Sequence, residues 1–266
     1  MTDAVHSGTG ALITGGSQGL GLAIAKQLAA DGCTRIVITS RNAEKGAAAV
    51  AELNAMGATA HCLPVELADI PKVQAMIGDA EALIGPVNAL VNCAANTDRG
   101  SILDTTPELF DEILTVNTKA PFFALQEFAK HCIAAGHAGS CVNILSIVVH
   151  GGTPFLAPYV TAKAGLAALT KNAAASLAKH RIRVNGINVG WMDTPGEDMR
   201  QKVSHDRPDG WQDSVEASLP FGMMVKPEHV AWQTSFLLGG ASGVVTGSLI
   251  DFDQQVVGAY PDTDEH

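Results

Sequence analysis

The stretch Thr14-Gly15-Gly16-Ser17-Gln18-Gly19-Leu20-Gly21 decides the fold. It follows an apolar run, Ala11-Leu12-Ile13-Thr14, that is typical of a buried strand, and it opens a helical pattern from Leu20 to Ala30. Small residues at such a turn let the backbone approach a pyrophosphate, which then rests on the N-terminal N–H groups of the helix. Glycine-rich turns often only reverse the chain, but a turn between the first strand and the first helix is the context that a dinucleotide site requires.

The same alternation of short apolar runs and alanine-rich amphipathic runs continues along the chain. It predicts an α/β fold with a doubly wound, Rossmann-type parallel sheet of about seven strands, covered by helices on both faces. The predicted strands are Ala11–Thr14, Arg35–Thr39, His61–Val65, Ala89–Asn92, Cys141–Leu145, Arg183–Ile187 and Ser248–Asp251. The predicted helices are Leu20–Ala30, Ala43–Met56, Lys72–Ile84, Pro107–Ala135, Ala157–Lys179 and Pro227–Leu238.

No low-complexity linker or charge run interrupts residues 1–266, so the sequence predicts a single dinucleotide-binding and catalytic domain. The irregular segment Thr194–Val225 is rich in Pro, Gly, Met and charged residues. A long segment without regular structure inside a compact domain is usually a lid or a binding loop. We therefore expect residues 194–225 to cover the substrate, with a pair of short, functionless surface helices as the alternative.

Composition excludes several classes of protein. The chain has 27 acidic and 17 basic side chains and a formal net charge of −10 at pH 7, whereas a nucleic-acid binder carries a basic stripe. Five scattered cysteines without a C-x-x-C spacing predict no disulfide framework and no metal site. Neither a signal-peptide layout nor an apolar run of about 18 residues is present, so we expect no membrane contact and a cytoplasmic location.

The second predicted strand ends in Ser40-Arg41-Asn42, where a dinucleotide-binding protein contacts the adenosine ribose. A carboxylate at this position would accept hydrogen bonds from the ribose and repel a 2′-phosphate. Because a hydroxyl and a guanidinium stand here instead, the sequence favours NADP(H) over NAD(H). Arg41 could equally be a solvated residue at a helix start, and Gln18 adds no second positive charge.

Tyr159 and Lys163 stand four residues apart in a predicted helix and therefore on one face. A phenol with a pKa of about 10 is a poor base at neutral pH, but a neighbouring ammonium and an oxidised nicotinamide favour the phenolate. Tyr159 is then a workable proton donor or acceptor at a carbinol oxygen. Ser146, at the carboxyl end of a predicted strand, could hold that oxygen, although an isolated serine there often only caps a turn.

In these motifs the chain resembles the short-chain dehydrogenase/reductase family, and within it the sugar and polyol dehydrogenases. The resemblance covers about residues 9–247. The family's T-G-x-x-x-G-x-G motif matches Thr14–Gly21, and its S…Y-x-x-x-K set matches Ser146, Tyr159 and Lys163. The family asparagine that keeps a water in the proton relay matches Asn117.

The resemblance implies further roles. It implies that Lys163 also hydrogen-bonds the nicotinamide ribose and that Asn92 helps to fix the central strand. It also implies a homotetramer, or a homodimer, in which the predicted helices 107–135 and 157–179 pack against partner copies.

The resemblance also places the cofactor. Backbone groups near Met192 and the Thr194 hydroxyl are expected to hold the carboxamide, and Glu66 stands where the family usually has an aspartate that contacts adenine. Alanine at position 95 and valine at position 189 replace a usual glycine and proline, which indicates a divergent branch with hydride transfer intact. The predicted cofactor-binding set is Gly15, Ser17, Gln18, Gly19, Leu20, Ser40, Arg41, Glu66, Leu67, Asn92, Tyr159, Lys163, Gly190, Met192 and Thr194.

The predicted substrate contacts are Asn96, Ser146, His150, Tyr159 and Trp191. They are mixed and polar, whereas a steroid or a long acyl chain would need a wider apolar slot. We therefore expect an NAD(P)-dependent oxidoreductase that transfers a hydride between nicotinamide and a carbinol or carbonyl carbon of a polyol, sugar or sugar acid. Two alternatives stay open: a carbonyl or 3-ketoacyl-thioester reductase that uses the same residues, and a cofactor-binding sensor or scaffold that would not need Tyr159.

Overall fold

Seven parallel strands form one sheet in the computed structural model, which describes residues 5–259 apart from the side chains of residues 204 and 205. The strands are β1 (Gly10–Ile13), β2 (Arg35–Thr39), β3 (Thr59–Leu63), β4 (Ala89–Asn92), β5 (Gly139–Ser146), β6 (Ile182–Val189) and β7 (Leu249–Phe252). They lie in the order β3-β2-β1-β4-β5-β6-β7, and every neighbouring pair is parallel. The predicted doubly wound sheet is therefore confirmed.

Helices connect the strands and cover both faces of the sheet. They are α1 (Gly19–Ala30), α2 (Ala43–Ala55), α3 (Ile70–Ile84), α4 (Pro107–Leu114), α5 (Ala120–Ala135), α6 (Ala157–Leu177), α7 (Pro195–His205), α8 (Trp211–Glu216) and α9 (Pro227–Leu238). Among the residues that the structure describes, no helix has both the length and the apolar character needed to cross a lipid bilayer.

Alternate residues of each strand enter two separate hydrophobic cores. Ala11 and Ile13 of β1 pack with the apolar faces of α1, α2 and α9. Leu12, which points to the opposite face, packs with α3, α5 and α6. Because both faces are covered, β1 is buried along its whole length, which explains its uninterrupted apolar sequence.

The direction of strand succession reverses between β1 and β4, and this reversal determines where a ligand can bind. From β1 the chain first adds β2 and β3 on one side, then crosses back to add β4 on the other side. The loops after β1 and β4 consequently diverge and leave a crevice at the carboxyl ends of the strands. The glycine turn borders this crevice, and Ser146 ends β5 at the same edge of the sheet.

Two boundaries differ from the sequence prediction. The predicted helix Pro107–Ala135 is divided by a π-helical turn, Thr115–Lys119, which contains the buried Asn117. The periodicity continues through this turn, so it gave no sign of the interruption. Strand β3 begins two residues before the predicted His61, because Thr59 already pairs with Arg35 of β2.

The segment Thr194–Val225, predicted to be irregular, is mostly helical. It contains α7 and α8, and its buried Trp211, Val215 and Met224 form a small apolar cluster of their own. Trp211 also stacks on Trp191, with ring centroids 5.5 Å apart. The polar composition of α7 concealed its helix, whose N-terminus is capped by the Thr194 hydroxyl.

The contact between the glycine turn and α1 predicts a large effect from one methyl group. A Cβ at Gly21 would lie 2.3 Å from the carbonyl oxygen of Gly15. We therefore expect Gly21→Ala to lower the free energy of unfolding by about 1–3 kcal/mol in a urea titration, although alanine is the better helix former. Gly240→Ala is the control, because a Cβ there meets nothing within 4 Å. Equal unfolding midpoints for the two variants would contradict this packing.

Candidate active site

Two hydroxyl groups meet at the carboxyl end of β5. Ser146 is the last residue of β5, and Tyr159 lies in the first turn of α6. The Ser146 hydroxyl is close enough to the Tyr159 phenol to lower its pKa, and it accepts the backbone N–H of Val148 at 3.4 Å. A substrate oxygen placed between the two hydroxyls would have two hydroxyl partners.

Lys163 lies one helical turn after Tyr159 and is almost completely buried, with 2% of its surface exposed. Its Nζ donates to the carbonyl oxygen of Ile144 at 2.7 Å and lies 5.6 Å from the centroid of the Tyr159 ring. Burial lowers the pKa of Lys163 to about 8, and the nearby Cys93 thiol opposes this only weakly. The amine therefore titrates close to physiological pH.

The pKa of Tyr159 is set mainly by burial. Burial raises the pKa of Tyr159 to about 12, against the opposing effects of the Ser146 hydroxyl and the positive charge of Arg200. Lys163 does not counter this effect, because its own pKa of about 8 leaves the amine uncharged at the pH where the phenol ionises. In the protein alone, the phenol is therefore held in its neutral form.

Asn117 fastens the loop after β4 to the π-helical turn. Its Oδ1 accepts the backbone N–H of Asn96 at 2.8 Å, and its Nδ2 donates to the Asn96 carbonyl at 2.7 Å. The Asn96 side chain donates in turn to Glu112 at 3.1 Å. Asn117 thus makes two bonds to one peptide segment, which fixes the height of the loop above the sheet.

A chain of buried amides connects β4, β5 and α6. Asn92 donates to Asn143 at 2.8 Å, Asn143 donates to Thr170 at 2.9 Å, and Thr170 donates to the Leu166 carbonyl at 2.8 Å. These side chains are buried, and each provides a hydrogen-bond partner for the next in an otherwise apolar core. The link sets the distance of α6 from the sheet.

The glycine turn has the shape that a dinucleotide pyrophosphate needs. A Cβ at Gly15 would lie 2.9 Å from Ala94, so the turn already touches the loop after β4. On the other side, a Cβ at Gly19 would lie 3.8 Å from the Thr194 side chain, an ordinary van der Waals contact, so the turn also adjoins the start of α7. Gln18, at the N-cap position of α1, forms no side-chain cap. Within the described chain these features fit a phosphate group on the helix N-terminus.

Two positive charges stand at the end of β2. The Arg41 guanidinium is 3.6 Å from Glu66 and largely exposed, and Lys45 donates to the Gln18 side chain at 2.6 Å. The buried Ser40 hydroxyl bonds to that of Ser17 at 2.9 Å. The sequence analysis missed Lys45, because it lies four residues beyond Arg41 in the chain. Only the first turn of α2 brings its side chain back to the glycine turn.

The remaining predicted cofactor residues differ in exposure. Leu20 and Leu67 are buried in the hydrophobic cores, so only their backbone can face a ligand. Gly190 donates its N–H to Phe252 at 3.0 Å, and a Cβ there would clash with Asp253. Met192 pairs with Val225 in an isolated bridge that closes the base of the segment 194–225.

The predicted substrate residues do not all converge. His150 donates to Asp251 of β7 at 3.0 Å, so the neighbouring edge of the sheet, rather than Tyr159, positions its imidazole. Trp191 is 40% exposed and donates its indole N–H to Glu197 on α7 at 2.9 Å. Glu197 and Arg200 are close enough to affect the pKa of Tyr159. The first turns of α7 therefore lie near Tyr159, and Arg200 is a candidate site residue that the sequence analysis missed.

Residues 9–207 match the model of the short chain dehydrogenase family. The chain belongs to this family. The mouse (3R)-3-hydroxyacyl-CoA dehydrogenase is 31% identical over 252 residues, covering 91% of this chain and 93% of its own length. The 2-dehydro-3-deoxy-D-gluconate 5-dehydrogenase of Formosa agariphila is also 31% identical, over 245 residues, 91% of this chain and 90% of its own.

A solved structure of a xylitol dehydrogenase shows the same architecture. The NAD⁺-bound xylitol dehydrogenase superposes with a TM-score of 0.85 at 27% identity, over 94% of this chain and 99% of its own. This chain is accordingly an oxidoreductase that acts on CH–OH groups, in a family that uses NAD(P) cofactors.

The raised pKa of Tyr159 predicts a spectroscopic result. At a pH of about 10, a tyrosine with its ordinary pKa is half ionised, whereas one with a pKa of about 12 is ionised to about 1%. Because the chain has only two tyrosines, the phenolate absorbance of the cofactor-free protein at this pH should barely change in Tyr159→Phe. A loss of about half of the absorbance would show that the Tyr159 phenol titrates normally.

Proposed function

We propose that this chain catalyses reversible hydride transfer between a nicotinamide cofactor and a carbinol or carbonyl carbon of a small polar substrate, a polyol, sugar or sugar acid. The proposal rests on the Ser146–Tyr159 hydroxyl pair at the carboxyl end of β5, with the Lys163 amine buried behind it. A cofactor-binding sensor would need the glycine turn but not this pair, and its intact geometry disfavours that alternative.

In the oxidation direction, Ser146 hydrogen-bonds the carbinol oxygen and Tyr159 accepts its proton. An oxidised nicotinamide, when bound, would supply the hydride acceptor and a positive charge that favours the phenolate. Lys163 would hold the ribose hydroxyls of the cofactor, and its amine, with a pKa of about 8, takes part in the removal of the proton. Asn117 orients the water that passes the proton to solvent. The same groups work in reverse during reduction.

The polar surroundings support a small hydrophilic substrate. Asn96, Trp191, Glu197 and Arg200 all offer polar atoms near Tyr159 or on the loop that Asn117 holds. The Formosa agariphila relative acts, by its name, on a sugar acid, and the xylitol dehydrogenase on a polyol. The mouse relative acts, by its name, on a hydroxyacyl-CoA, so a ketoacyl thioester is the rival substrate.

We propose that residues 194–225 act as the substrate lid of a single catalytic domain. The apolar side chains of the segment pack in a cluster around its own Trp211. At the base of the segment, Lys226 donates hydrogen bonds to Asp193 at 2.9 Å and to Glu216 at 3.2 Å. Such a segment can move as a unit, because its apolar contacts are mostly internal.

We also propose a cytoplasmic homotetramer. All five cysteines carry free thiols, as is usual in a reducing compartment. Ile102 and Leu103 are almost fully exposed before α4, and Phe110 and Phe122 are partly exposed on α4 and α5. Contact with other copies of the chain would remove this apolar surface from water.

For the cofactor, we propose NADP(H). A 2′-phosphate at the end of β2 would offer an anionic ligand to both Arg41 and Lys45, whereas a ribose hydroxyl would offer one to neither. Glu66 is the one carboxylate paired with Arg41 in the described chain, and its contact at 3.6 Å is exposed and weak.

The catalytic role of Tyr159 is tested by removing one oxygen atom. We expect Tyr159→Phe to fold and bind the cofactor but to lose about 10²–10⁴-fold in kcat in a nicotinamide absorbance assay with polyols, aldoses and sugar acids. Ser176→Ala, which removes an exposed hydroxyl from the same helix, should keep wild-type turnover. Near-normal turnover in Tyr159→Phe would exclude it as the acid/base.

Cofactor choice is tested at the end of β2. We expect Arg41→Ala and Lys45→Ala each to weaken NADP⁺ binding by about tenfold, measured by calorimetry, with little change for NAD⁺, because each removes a charge-assisted bond to the phosphate. Lys72→Ala removes a surface lysine paired within its own helix and should change neither affinity. Parallel losses for both cofactors would contradict phosphate recognition.

A further inference from the structure

Two tryptophan rings are stacked beyond the end of β6. Trp191 comes two residues after this strand, and its ring centroid lies 5.5 Å from that of Trp211, with the two ring planes inclined by 26°. Trp211 is buried, whereas Trp191 keeps 40% of its surface exposed. Protein therefore covers one face of the Trp191 ring, and its exposed surface belongs to the opposite face and the edges.

Two consecutive carboxylates of α7 fix the orientation of both rings. Glu197 accepts the Trp191 indole N–H at 2.9 Å, and Asp198 accepts the Trp211 indole N–H at 3.0 Å. The backbone of Trp191 is fixed as well, because its carbonyl oxygen accepts the N–H of Val225 at 3.1 Å. Since the ring is oriented before any ligand arrives, a ligand that covered its free face would cause little further loss of side-chain entropy.

Trp191 lies at the same edge of the sheet as the reacting hydroxyls. In the parallel register of β5 and β6, Val189 pairs with Ser146, so both strands end at the same level. Trp191 follows Val189 by two residues and is thus part of the chain that leaves β6 beside the carboxyl end of β5. In an open parallel sheet, this edge is where ligands bind.

Helix α7 spans the crevice to which Trp191 is attached. A Cβ built at Gly196, in the first turn of α7, would lie 3.9 Å from the Gln18 side chain in the glycine turn. One turn later, Arg200 donates to the Thr97 carbonyl in the loop after β4. The carboxylate that holds the Trp191 indole lies between these two contacts, so the ring is held at the gap between the loops after β1 and β4.

The free face of a fixed indole suits one kind of polar ligand. The π-system carries negative charge on its face and attracts C–H groups, which are weakly positive where the carbon also bears a hydroxyl. A six-membered sugar or cyclitol ring presents several axial C–H groups on one face and directs its equatorial hydroxyls outwards. An acyclic polyol turns its hydroxyls to all sides of the chain and offers no comparable C–H face.

We propose that Trp191 is a stacking platform for the ring of a cyclic sugar or cyclitol, so that the site prefers such a ring to the acyclic polyol of equal carbon number. This inference rests on the proposed function and narrows its substrate class. With one face of the ring on the indole, the outward hydroxyls would be free to meet Ser146 and Tyr159. Binding would also remove the exposed indole surface from water.

The kinetic test compares inositols and aldopyranoses with hexitols. An inositol and a hexitol have the same numbers of carbons and hydroxyls, so their kcat/KM ratio isolates the effect of ring closure. We expect wild type to prefer the ring by about fivefold or more. Trp191→Leu should lower kcat/KM for ring substrates by about tenfold, mainly through KM, and for hexitols by less than about threefold. Trp191→Phe, which keeps an aromatic face, should recover most of the loss.

Trp232→Leu is the matched control, because it removes an exposed indole from α9, which packs on α1 rather than at the crevice. It should change the kinetics of neither substrate class. Equal use of rings and hexitols by wild type, or an equal loss for both in Trp191→Leu, would overturn the inference and leave the proposed function intact. An equal loss would show that the indole only supports the lid.

Fluorescence separates the two proposals when turnover fails. The chain has three tryptophans, so Trp232→Phe leaves only Trp191 and Trp211 to emit. In this variant, loaded with NADP⁺, an inositol should shift the emission to shorter wavelength as Trp191 loses contact with water, and adding Trp191→Phe should abolish the shift. A Trp191-dependent shift without turnover would support the platform and refute the proposed function. No shift with any ring tested would overturn the inference, whether or not the rings turn over.

Discussion

The hydrogen bond from the buried Lys163 amine to the Ile144 carbonyl constrains the rest of the site. A buried amine without a partner would cost several kcal/mol, so this bond fixes α6 against the carboxyl end of β5. Ile144 precedes Ser146 by two residues, and Tyr159 precedes Lys163 by one helical turn. This one hydrogen bond therefore fixes the distance between β5 and α6 at which the Ser146 and Tyr159 hydroxyls lie close together.

The buried amides extend this constraint to the rest of the crevice. The link from Asn92 through Asn143 to Thr170 joins β4 and β5 to α6, and the Asn117–Asn96 bonds fix the β4 loop. Each link replaces apolar packing with directional bonds that accept only one arrangement. The site is consequently rigid on the sheet side, whereas its outer wall, α7 and α8, is packed mainly on itself. Rigidity at the proposed proton-transfer groups and an internally packed proposed lid would suit a reaction that must admit and release a small molecule.

The sheet and the central hydroxyl pair were predictable from sequence because they rest on local patterns. Apolar strand runs, the glycine turn and the four-residue spacing of Tyr159 and Lys163 are visible within short windows. Three features were not predictable, because no short window of the sequence shows them. The π-helical turn at Asn117 keeps a helical periodicity, α7 has too few apolar residues to reveal itself, and Lys45 reaches Gln18 only through the turn of α2. The pKa of Tyr159 depends chiefly on burial, which the spacing of Tyr159 and Lys163 in the sequence does not show.

The distribution of charge marks one end of the crevice. The chain is acidic overall, yet Arg41 and Lys45 stand together at the end of β2, beside the glycine turn. Negative charge elsewhere on the surface repels anions in general, whereas two neighbouring positive charges attract one. A phosphate held there, as we propose for NADP(H), would fix the cofactor by its far end. The hydroxyl groups of Ser146 and Tyr159 would then need only to align the two reacting carbons.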